Sequence, residues 1–409
     1  PGQSNSDMAS WQSVIGSVLQ GGGDNGKLPG DITSSTQNST TQTSQSKSGV
    51  GISGSVAVNV VHDDTRAYIL NTGPIVIANA NGAVDGLFLR AANTTTVGAL
   101  AGAGALVKGN NEKTSVGIAG GFAINAQYGQ TEAFVDHAAG LDLEALSIGA
   151  VRNGWTVSLA AGLAAASGKK SYTVGGSVGV NVITCDTTAA LRNIAGSVAV
   201  DGNVALSALD DTNIIAIGGS AGFGGKAGVG IAIGFTYVQN EVSAGISGLN
   251  DFTCGGDCDV AAASDALIIT VTGSVGIATG SGGSGGYAGA GTVSINVAKN
   301  TTKAWIAGTS ITGSTGDVTL SATDNTSIYS FAGAFAAGKG KGLAGAIAVN
   351  VLDNVTRAAV EESTVSTTGA VYVTSSEGGT VVTLAVAGAG SQKFAFAASV
   401  ALNCFHNTI

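Results

Sequence analysis

The sequence predicts an all-β fold, a right-handed parallel β-helix (β-solenoid) of about seven imperfect repeats. A segment with a polar anchor recurs along the chain, and successive anchors are 66, 56, 55, 60, 54 and 53 residues apart. Between anchors, a second segment alternates apolar and polar residues with period two, as expected of a strand with one buried face. Neither segment has helical periodicity. Repeats of this length that cannot bury their apolar side alone are typical of stacked repeat folds.

The anchored segment reads SVAVNVVHDDTRAYI at residue 55 and returns as SVGVNVITCDTTAAL at 177 and AIAVNVLDNVTRAAV at 346. At a bend between two strands, an asparagine side chain can satisfy inward-facing backbone groups and bond to the asparagine of the next layer. We therefore expect a structural asparagine ladder, although surface turns without stacking would give the same pattern. A threonine six residues after most anchors predicts a second stacked row. The anchors are Asn59, Asn125, Asn181, Thr236, Asn296, Asn350 and Asn403, and the threonines are Thr65, Thr131, Thr187, Thr302 and Thr356.

The alternating segment is clearest in GDVTLSATDNTS from residue 316, where Val318, Leu320 and Ala322 form the expected inward face. Each repeat also holds two runs rich in glycine and alanine that a turn separates, such as VTLAVAGAGSQKFAFAASVALN from residue 382. Glycine weakens an isolated strand, so these runs need strands above and below them. A repeat would then contain about four short strands, which is two or three coils of roughly 20 residues each.

The N-terminal region differs in composition from the repeats that follow it. The stretch DITSSTQNSTTQTSQSKSG, which begins at Asp31, is rich in serine, threonine and glutamine and has no apolar alternation. Such a composition does not bury enough apolar surface to form a core of its own. We therefore expect a non-repeat N-terminal arm or linker at 1–48, and a solenoid repeat domain at 49–409 that is truncated within its last repeat.

The composition limits the classes of partner. Glycine supplies 65 of 409 residues and proline only 3, while 44% hydrophobic residues can build a core. A formal net charge of -9 and a pI of about 4.7 disfavour nucleic acid and an anionic membrane as partners. Insertion into a membrane is not expected either, because no run of 18 uninterrupted apolar residues occurs. Only 11% of residues are charged, which suggests that stacking or contacts between chains cover much of the surface.

Four cysteines are too few to staple 409 residues with disulfides, and the pair Cys254 and Cys258 supplies only two of the four ligands of a structural zinc site. Cys254 and Cys258 lie in the segment Cys-Gly-Gly-Asp-Cys and could close a small disulfide, or could remain free thiols. Cys185 and Cys404 are expected to be small packed side chains. The sequence therefore predicts no metal site.

No pattern in the sequence indicates catalysis or a cofactor. Gly-x-Ser-x-Gly occurs at 175–179, 218–222 and 282–286, but without the strand–turn–helix context of a nucleophile. The histidines His62, His137 and His406 have no repeated carboxylate partner that would orient a general base. We therefore expect a protein that is not an enzyme. One catalytic alternative remains, an enzyme acting on polysaccharide, whose carboxylates would come from the pairs Asp63/Asp64, Asp210/Asp211 and Asp257/Asp259.

Lysines concentrate in one place of the repeat, the turn between the paired glycine and alanine runs. If the repeats stack in register, these turns form one edge. The lysines there would keep that edge soluble and block strand pairing, or would form a basic edge that contacts an acidic surface. They are Lys108, Lys113, Lys169, Lys170, Lys226, Lys339, Lys341 and Lys393, which is eight of 17 basic residues.

The quoted segments resemble the repeat regions of large bacterial filamentous adhesins and leukotoxin-type surface proteins, in which GxGxSVAVNxxxNxTxAxI and GxVTLSAxxNT units recur. The resemblance covers about residues 49 to 409. It implies a parallel β-helix, secretion to the extracellular space or cell surface, and a structural or adhesive role. The implied partners are other copies of the chain, the rest of the parent chain, or surface glycans. A segment of a surface toxin is a further alternative, and the resemblance transfers no functional residue.

Overall fold

The computed structural model describes residues 39–43, 49–77, 86–109, 113–280 and 285–409, which all belong to the compact unit Ser34–Ile409. Every paired strand in these ranges is parallel to its neighbours, and none of the described residues is helical. The predicted parallel β-helix is therefore confirmed. No helix that could span a membrane occurs within these ranges. Of the predicted N-terminal arm, only Ser39–Thr43 lies inside the described residues.

The fold contains 25 described strands, which form three parallel sheets. In chain order they are β1 Ser39–Thr43, β2 Gly49–Leu70, β3 Ile75–Ile77, β4 Leu87–Lys108, β5 Thr114–Asp136, β6 Leu141–Leu143, β7 Leu146–Ser167, β8 Lys170–Arg192, β9 Val198–Val200, β10 Val204–Gly224, β11 Ala227–Ser247, β12 Phe252–Cys254, β13 Cys258–Ser264, β14 Leu267–Ala278, β15 Tyr287–Ala298, β16 Thr301–Ala307, β17 Ser310–Ser314, β18 Val318–Asp324, β19 Ser327–Gly338, β20 Lys341–Leu352, β21 Val355–Glu361, β22 Thr364–Thr367, β23 Val371–Glu377, β24 Val381–Ser391 and β25 Phe394–Phe405.

Sheet A has the order β1-β4-β7-β10-β13-β18-β23, and β14, β19 and β24 continue its last three strands towards the turn. Sheet B has the order β2-β5-β8-β11-β15-β20-β25, extended by β16 and β21. Sheet C is a narrow ribbon of the short strands β3, β6, β9, β12, β17 and β22. Each full coil passes from sheet C through sheet A and a turn into sheet B, so the described residues form seven coils, the first without a sheet C strand.

One sequence repeat forms one coil. Val204 pairs with Leu146 of the preceding repeat and with Cys258 of the following one, so each strand meets its equivalent a full repeat away. The expectation of two or three coils per repeat is therefore wrong. The reason is strand length, because β4, β5, β7 and β8 run for 22 or 23 residues and cross the whole width of the solenoid.

The coil has a wide part and a thin part. We call the part of each coil between the level of the asparagine anchor and the turn from sheet A to sheet B the blade, and it includes the strands of both sheets. That turn is the tip, and the remainder of the coil is the base. The base encloses a three-sided core of large apolar side chains, including Leu146, Ile148 and Phe252. The apolar clusters inside the blade consist of alanine alone. Leu320 and Ala322 face inward as predicted, whereas Val371 and Val373, equally expected to be inside, are about half exposed in the seventh coil.

A stacked corner ends each sheet B strand. Six successive corners place one residue in the left-handed backbone region, with φ between 50° and 65°. The corner amide of one coil donates to the carbonyl that ends the sheet B strand of the next coil, as Asn71 N does to Asp136 O at 3.1 Å. Glycine adopts this backbone at little cost and asparagine and histidine are enriched in it, whereas glutamate is uncommon there. The corner residues are Asn71, His137, Asn193, Gly248, Gly308 and Glu362.

Candidate interaction surface

The asparagine anchors occupy equivalent positions of sheet B, at the boundary between base and blade. Nδ2 of Asn59 donates to Oδ1 of Asn125 at 2.9 Å, and Nδ2 of Asn125 donates to Oδ1 of Asn181 at 3.0 Å. Each amide also reaches across to sheet A, where Asn125 donates to the Val157 carbonyl at 2.9 Å. The side chains therefore link neighbouring coils and join the two sheets at the same time.

The second run of the ladder follows one interruption. Asn296 donates to Asn350 at 2.8 Å, and Asn350 donates to Asn403 at 3.0 Å. Between the two runs stands Thr236, whose buried hydroxyl has no hydrogen-bond partner among the described residues. The threonine row predicted beside the ladder also stacks in register, with valine in the fourth coil, and Thr302 bonds to Asp324 at 3.4 Å.

A second asparagine ladder lies four residues after the first. Here the side-chain oxygen accepts a backbone amide of the preceding coil: Asn300 from Asn240 at 3.2 Å, Asn354 from Asn300 at 2.9 Å, and Asn407 from Asn354 at 3.3 Å. The repeat pattern SVAVNxxxNxT contains this Asn-x-x-x-Asn spacing, but no role for the second asparagine was predicted from it. The spacing was the available signal, since four residues along a strand return to the same face.

Buried ionisable groups form a column inside sheet A beside this second ladder. Arg152 Nη1 lies 3.3 Å from Asp210 Oδ2, and both side chains are almost fully buried. Burial raises the pKa of the Asp210 carboxyl, whereas the charge of Arg152 and the Thr212 hydroxyl lower it. Asp210 also accepts from Asn240 Nδ2 at 3.1 Å. A carboxylate held by so many donors is a structural group that secures the interior of the third and fourth coils.

The same column continues through Asp324 to Glu377. Asp324 accepts from Asn354 Nδ2 and from the amide and hydroxyl of Thr326, at 3.0, 3.0 and 2.6 Å. Both carboxylate oxygens of Glu377 are buried and find no hydrogen-bond partner among the described residues. Burial, with the neighbouring Asp324 charge, raises the pKa of Glu377 to about 7. This end of the column therefore holds two carboxylates without a nearby cation in the part of the chain described.

The cysteine pair does not form the small disulfide that the sequence left open. Cys254 and Cys258 are both free and buried. The Cys254 Sγ lies near the carbonyl oxygens of Gly256 and Gly202, at 3.3 and 3.4 Å. Both side chains belong to the apolar core of the base, and burial raises the pKa of each thiol. Cys185 is buried as expected, but Cys404 is exposed in the seventh coil, contrary to the expectation that it packs.

The blade reverses the usual arrangement of side chains. Even-numbered residues point inward along all of β10, from Val204 in the base to Gly224 at the tip. In the blade this inward set is small, and the larger aliphatic residues face outward. The reason is the close approach of sheets A and B: a Cβ atom added to Gly276 would lie 1.9 Å from the Gly289 oxygen, and one added to Gly162 would lie 2.0 Å from the Gly176 oxygen.

The outward face of sheet A in the blade, which we call face A, is apolar. Val271, Phe335 and Leu384 are 39%, 49% and 50% exposed. The outward face of sheet B, face B, carries a similar set that includes Ile233 and Ile347. The described blade strands contain no aspartate or glutamate at all. Single exposed apolar residues are ordinary, but a continuous apolar face marks a contact surface.

A groove runs along face A parallel to the solenoid axis. Its floor is a column of small residues in register, with Gly219, Gly273 and Gly333 at its centre. A Cβ atom added to Gly219 or Gly273 would meet nothing within 4 Å, so the floor is open. One wall is the column of Ile217, Val271 and Phe331, and the other contains Val275 and Phe335. None of the groove-lining residues is ionisable.

The predicted lysine edge is the tip of the blade. Lys169 and Lys170 lie at the turn from β7 to β8, Lys226 at the turn from β10 to β11, Lys339 and Lys341 at the turn from β19 to β20, and Lys393 at the turn from β24 to β25. Tip backbones bond to one another, as Lys226 N does to Ser171 O at 2.8 Å. The fifth coil carries glycines there instead of lysines.

The residues considered for catalysis do not form one site among the described residues. Asp210 is buried and paired, while Asp63, Asp257 and Asp259 belong to other coils or corners. Ser177 and Ser220, from two of the Gly-x-Ser-x-Gly segments, point into the closed blade interior. The third such segment lies partly outside the described residues. No group of three or more histidine, cysteine, aspartate or glutamate side chains that could hold a metal occurs in the described ranges.

Comparison with known proteins gives no match, neither to a protein-family model, nor to a curated protein, nor to a solved structure. The likeness to filamentous adhesin repeats therefore remains an expectation from the sequence.

Proposed function

We propose that this chain is an extracellular structural or adhesive module of a large secreted bacterial repeat protein, which forms part of a fibre or surface layer and carries out no catalysis. The observation that supports the proposal most is the blade, with apolar outward faces on both sides of an interior of small side chains. Soluble monomers rarely expose an apolar area of this extent, so other protein surface is expected to cover it. The module would work by contact with other copies, with the rest of the parent chain, or with surface glycans.

The geometry gives less support to the polysaccharide-acting alternative. A glycosidase needs two carboxyl groups on opposite sides of the scissile bond in an accessible groove. The groove of face A is instead lined by glycine, alanine, serine and larger apolar side chains such as Phe335, and none of these residues is ionisable. The buried Arg152–Asp210 pair has the character of an internal structural contact. We therefore favour the structural role over the enzymatic one.

Immunogold electron microscopy of intact source cells tests the proposal. Antibodies raised against the full chain should label filaments or the cell surface without permeabilisation. Labelling that appears only after permeabilisation would contradict an extracellular role. In parallel, the full chain should release no reducing ends from a panel of polysaccharides, and steady release would instead favour the enzymatic alternative.

A further inference from the structure

We propose that face A is a two-fold docking surface for a second copy of this chain, with the tip of each copy lying over the base of the other. The inference rests on the proposed role in a fibre or surface layer and names the partner of its apolar surface. It follows from three properties of face A: its relief, its charge distribution and its size.

The central ridge and floor of face A are complementary to each other. The glycine floor at Gly219 lies beside the ridge at Ile217, so Gly218 marks the line midway between them. A two-fold axis along this line, parallel to the solenoid axis, places the ridge of each copy in the groove of the other. The columns continue through the fifth and sixth coils, where Val271 and Phe331 extend the ridge. Sheets that face each other pack through such interdigitation.

The charges of face A favour this arrangement over the alternative. Asp211 precedes Gly218 by seven residues, and the tip residue Gly225, next to Lys226, follows it by seven. The same symmetry in the sixth coil brings Lys339 over Asn325, which is bonded to Asp265 at 2.9 Å. Lysine tips therefore meet carboxylates. A two-fold axis parallel to the strands would instead place the lysine tips of the copies together, which like-charge repulsion disfavours.

The size of face A is sufficient for a stable dimer. Its sheet A strands in the blade are 11 or 12 residues long in the fifth to seventh coils. With a rise of about 3.3 Å per residue and about 4.8 Å between coils, six coils present on the order of 1,000 Å² per copy. Stable protein interfaces bury about 800 Å² per partner.

A second copy fits the surface better than a lipid bilayer. A blade that entered a bilayer would carry its lysine tip through the hydrocarbon first. Each charged side chain at the bilayer centre costs about 2.5 to 3.5 kcal/mol even on permissive scales, and the tips carry several lysines. A protein partner with carboxylates opposite the tips avoids this cost.

The oligomeric state of the full chain is the first test. Sedimentation equilibrium should find a dimer for the wild type, and Val271→Asp should dissociate at least tenfold more readily because it places a charge in the ridge. Ile233→Asp is the matched control, since it places the same charge on face B, and it should retain the dimer. A wild type that remains monomeric at high micromolar concentration, or equal weakening by both variants, would overturn the proposal.

Disulfide trapping tests the orientation and does not depend on the ridge variant folding. Lys226→Cys and Asp211→Cys are each made with Cys404→Ser, so that one exposed thiol is present. Mixing the two variants under mild oxidation should give a cross-linked heterodimer, while each alone should remain uncross-linked. Cross-linking of Lys226→Cys to itself, or no cross-link in the mixture, would overturn the tip-over-base arrangement. Neither result bears on extracellular localisation or on catalysis, which the experiments on the proposed function test separately.

Discussion

The break in the first asparagine ladder can be repaired by one substitution, Thr236→Asn. Thr236 lies in register between Asn181 and Asn296 and leaves a buried hydroxyl without a partner in the described structure. An asparagine there can accept from Nδ2 of Asn181 and donate to Oδ1 of Asn296, which retains a free lone pair beside its bond from Thr270. Two added hydrogen bonds, each worth about 0.5 to 1.5 kcal/mol, give an expected gain of about 1 to 3 kcal/mol.

Urea denaturation followed by circular dichroism measures this gain as a rise of the midpoint at an unchanged slope. Thr292→Asn is the matched control, because Thr292 is equally buried and unpartnered but has Ala232 and Ala346 as its neighbours in the adjacent coils. The control should lose stability, since its amide would be buried without partners. A Thr236→Asn midpoint at or below that of the wild type would refute the stabilising role that we assign to the ladder.

Three further outcomes are expected. Gly276→Ala should lower the free energy of unfolding by about 1 to 3 kcal/mol, because its Cβ would overlap the Gly289 oxygen. In the same urea assay, Gly273→Ala on the open groove floor should change the free energy of unfolding by less than about 0.5 kcal/mol. The raised pKa of Glu377 means that the folded state binds the proton more tightly than the unfolded state, so this group favours folding at low pH and loses that effect as the pH rises through about 7. The stability of Glu377→Gln relative to the wild type should therefore increase between about pH 5 and about pH 8. A stability difference that stays constant over this range would contradict the raised pKa. An alkylating reagent should label Cys404 in the folded chain, and the buried Cys185, Cys254 and Cys258 only after denaturation, as peptide mass spectrometry would detect.

The sequence predicts the register of the coils but not their size. Spacing between anchors such as Asn125 and Asn181 gives the period of the repeat directly, and the structure pairs these residues. The number of coils within one period depends on strand length, which is not fixed by an alternating pattern. Alternation in a run such as 204–224 continues without a break. The same alternating pattern would result from one strand of 21 residues or from several shorter strands, so the pattern does not give the strand length.

The inward direction of the small blade residues follows from the odd and even numbering of strand positions. Val318, Leu320 and Ala322 face inward in the base, and even numbering continues to Ala332 and Ala334, so the small residues had to be inside. The usual preference for burying large aliphatic residues predicts the opposite, so two sequence arguments conflict in the blade. The distance between the two sheets decides it, and that distance depends on the glycine and alanine columns of many coils together.

Because one repeat is one coil, the length of this molecule changes in whole coils. Gain of a single repeat by recombination would add one layer of about 4.8 Å and would leave the pairing partners of every distant layer unchanged. The same event would extend the ridge and groove of face A by one coil. Unequal crossing-over could thus change the length of the molecule without a new fold or a new type of contact between coils.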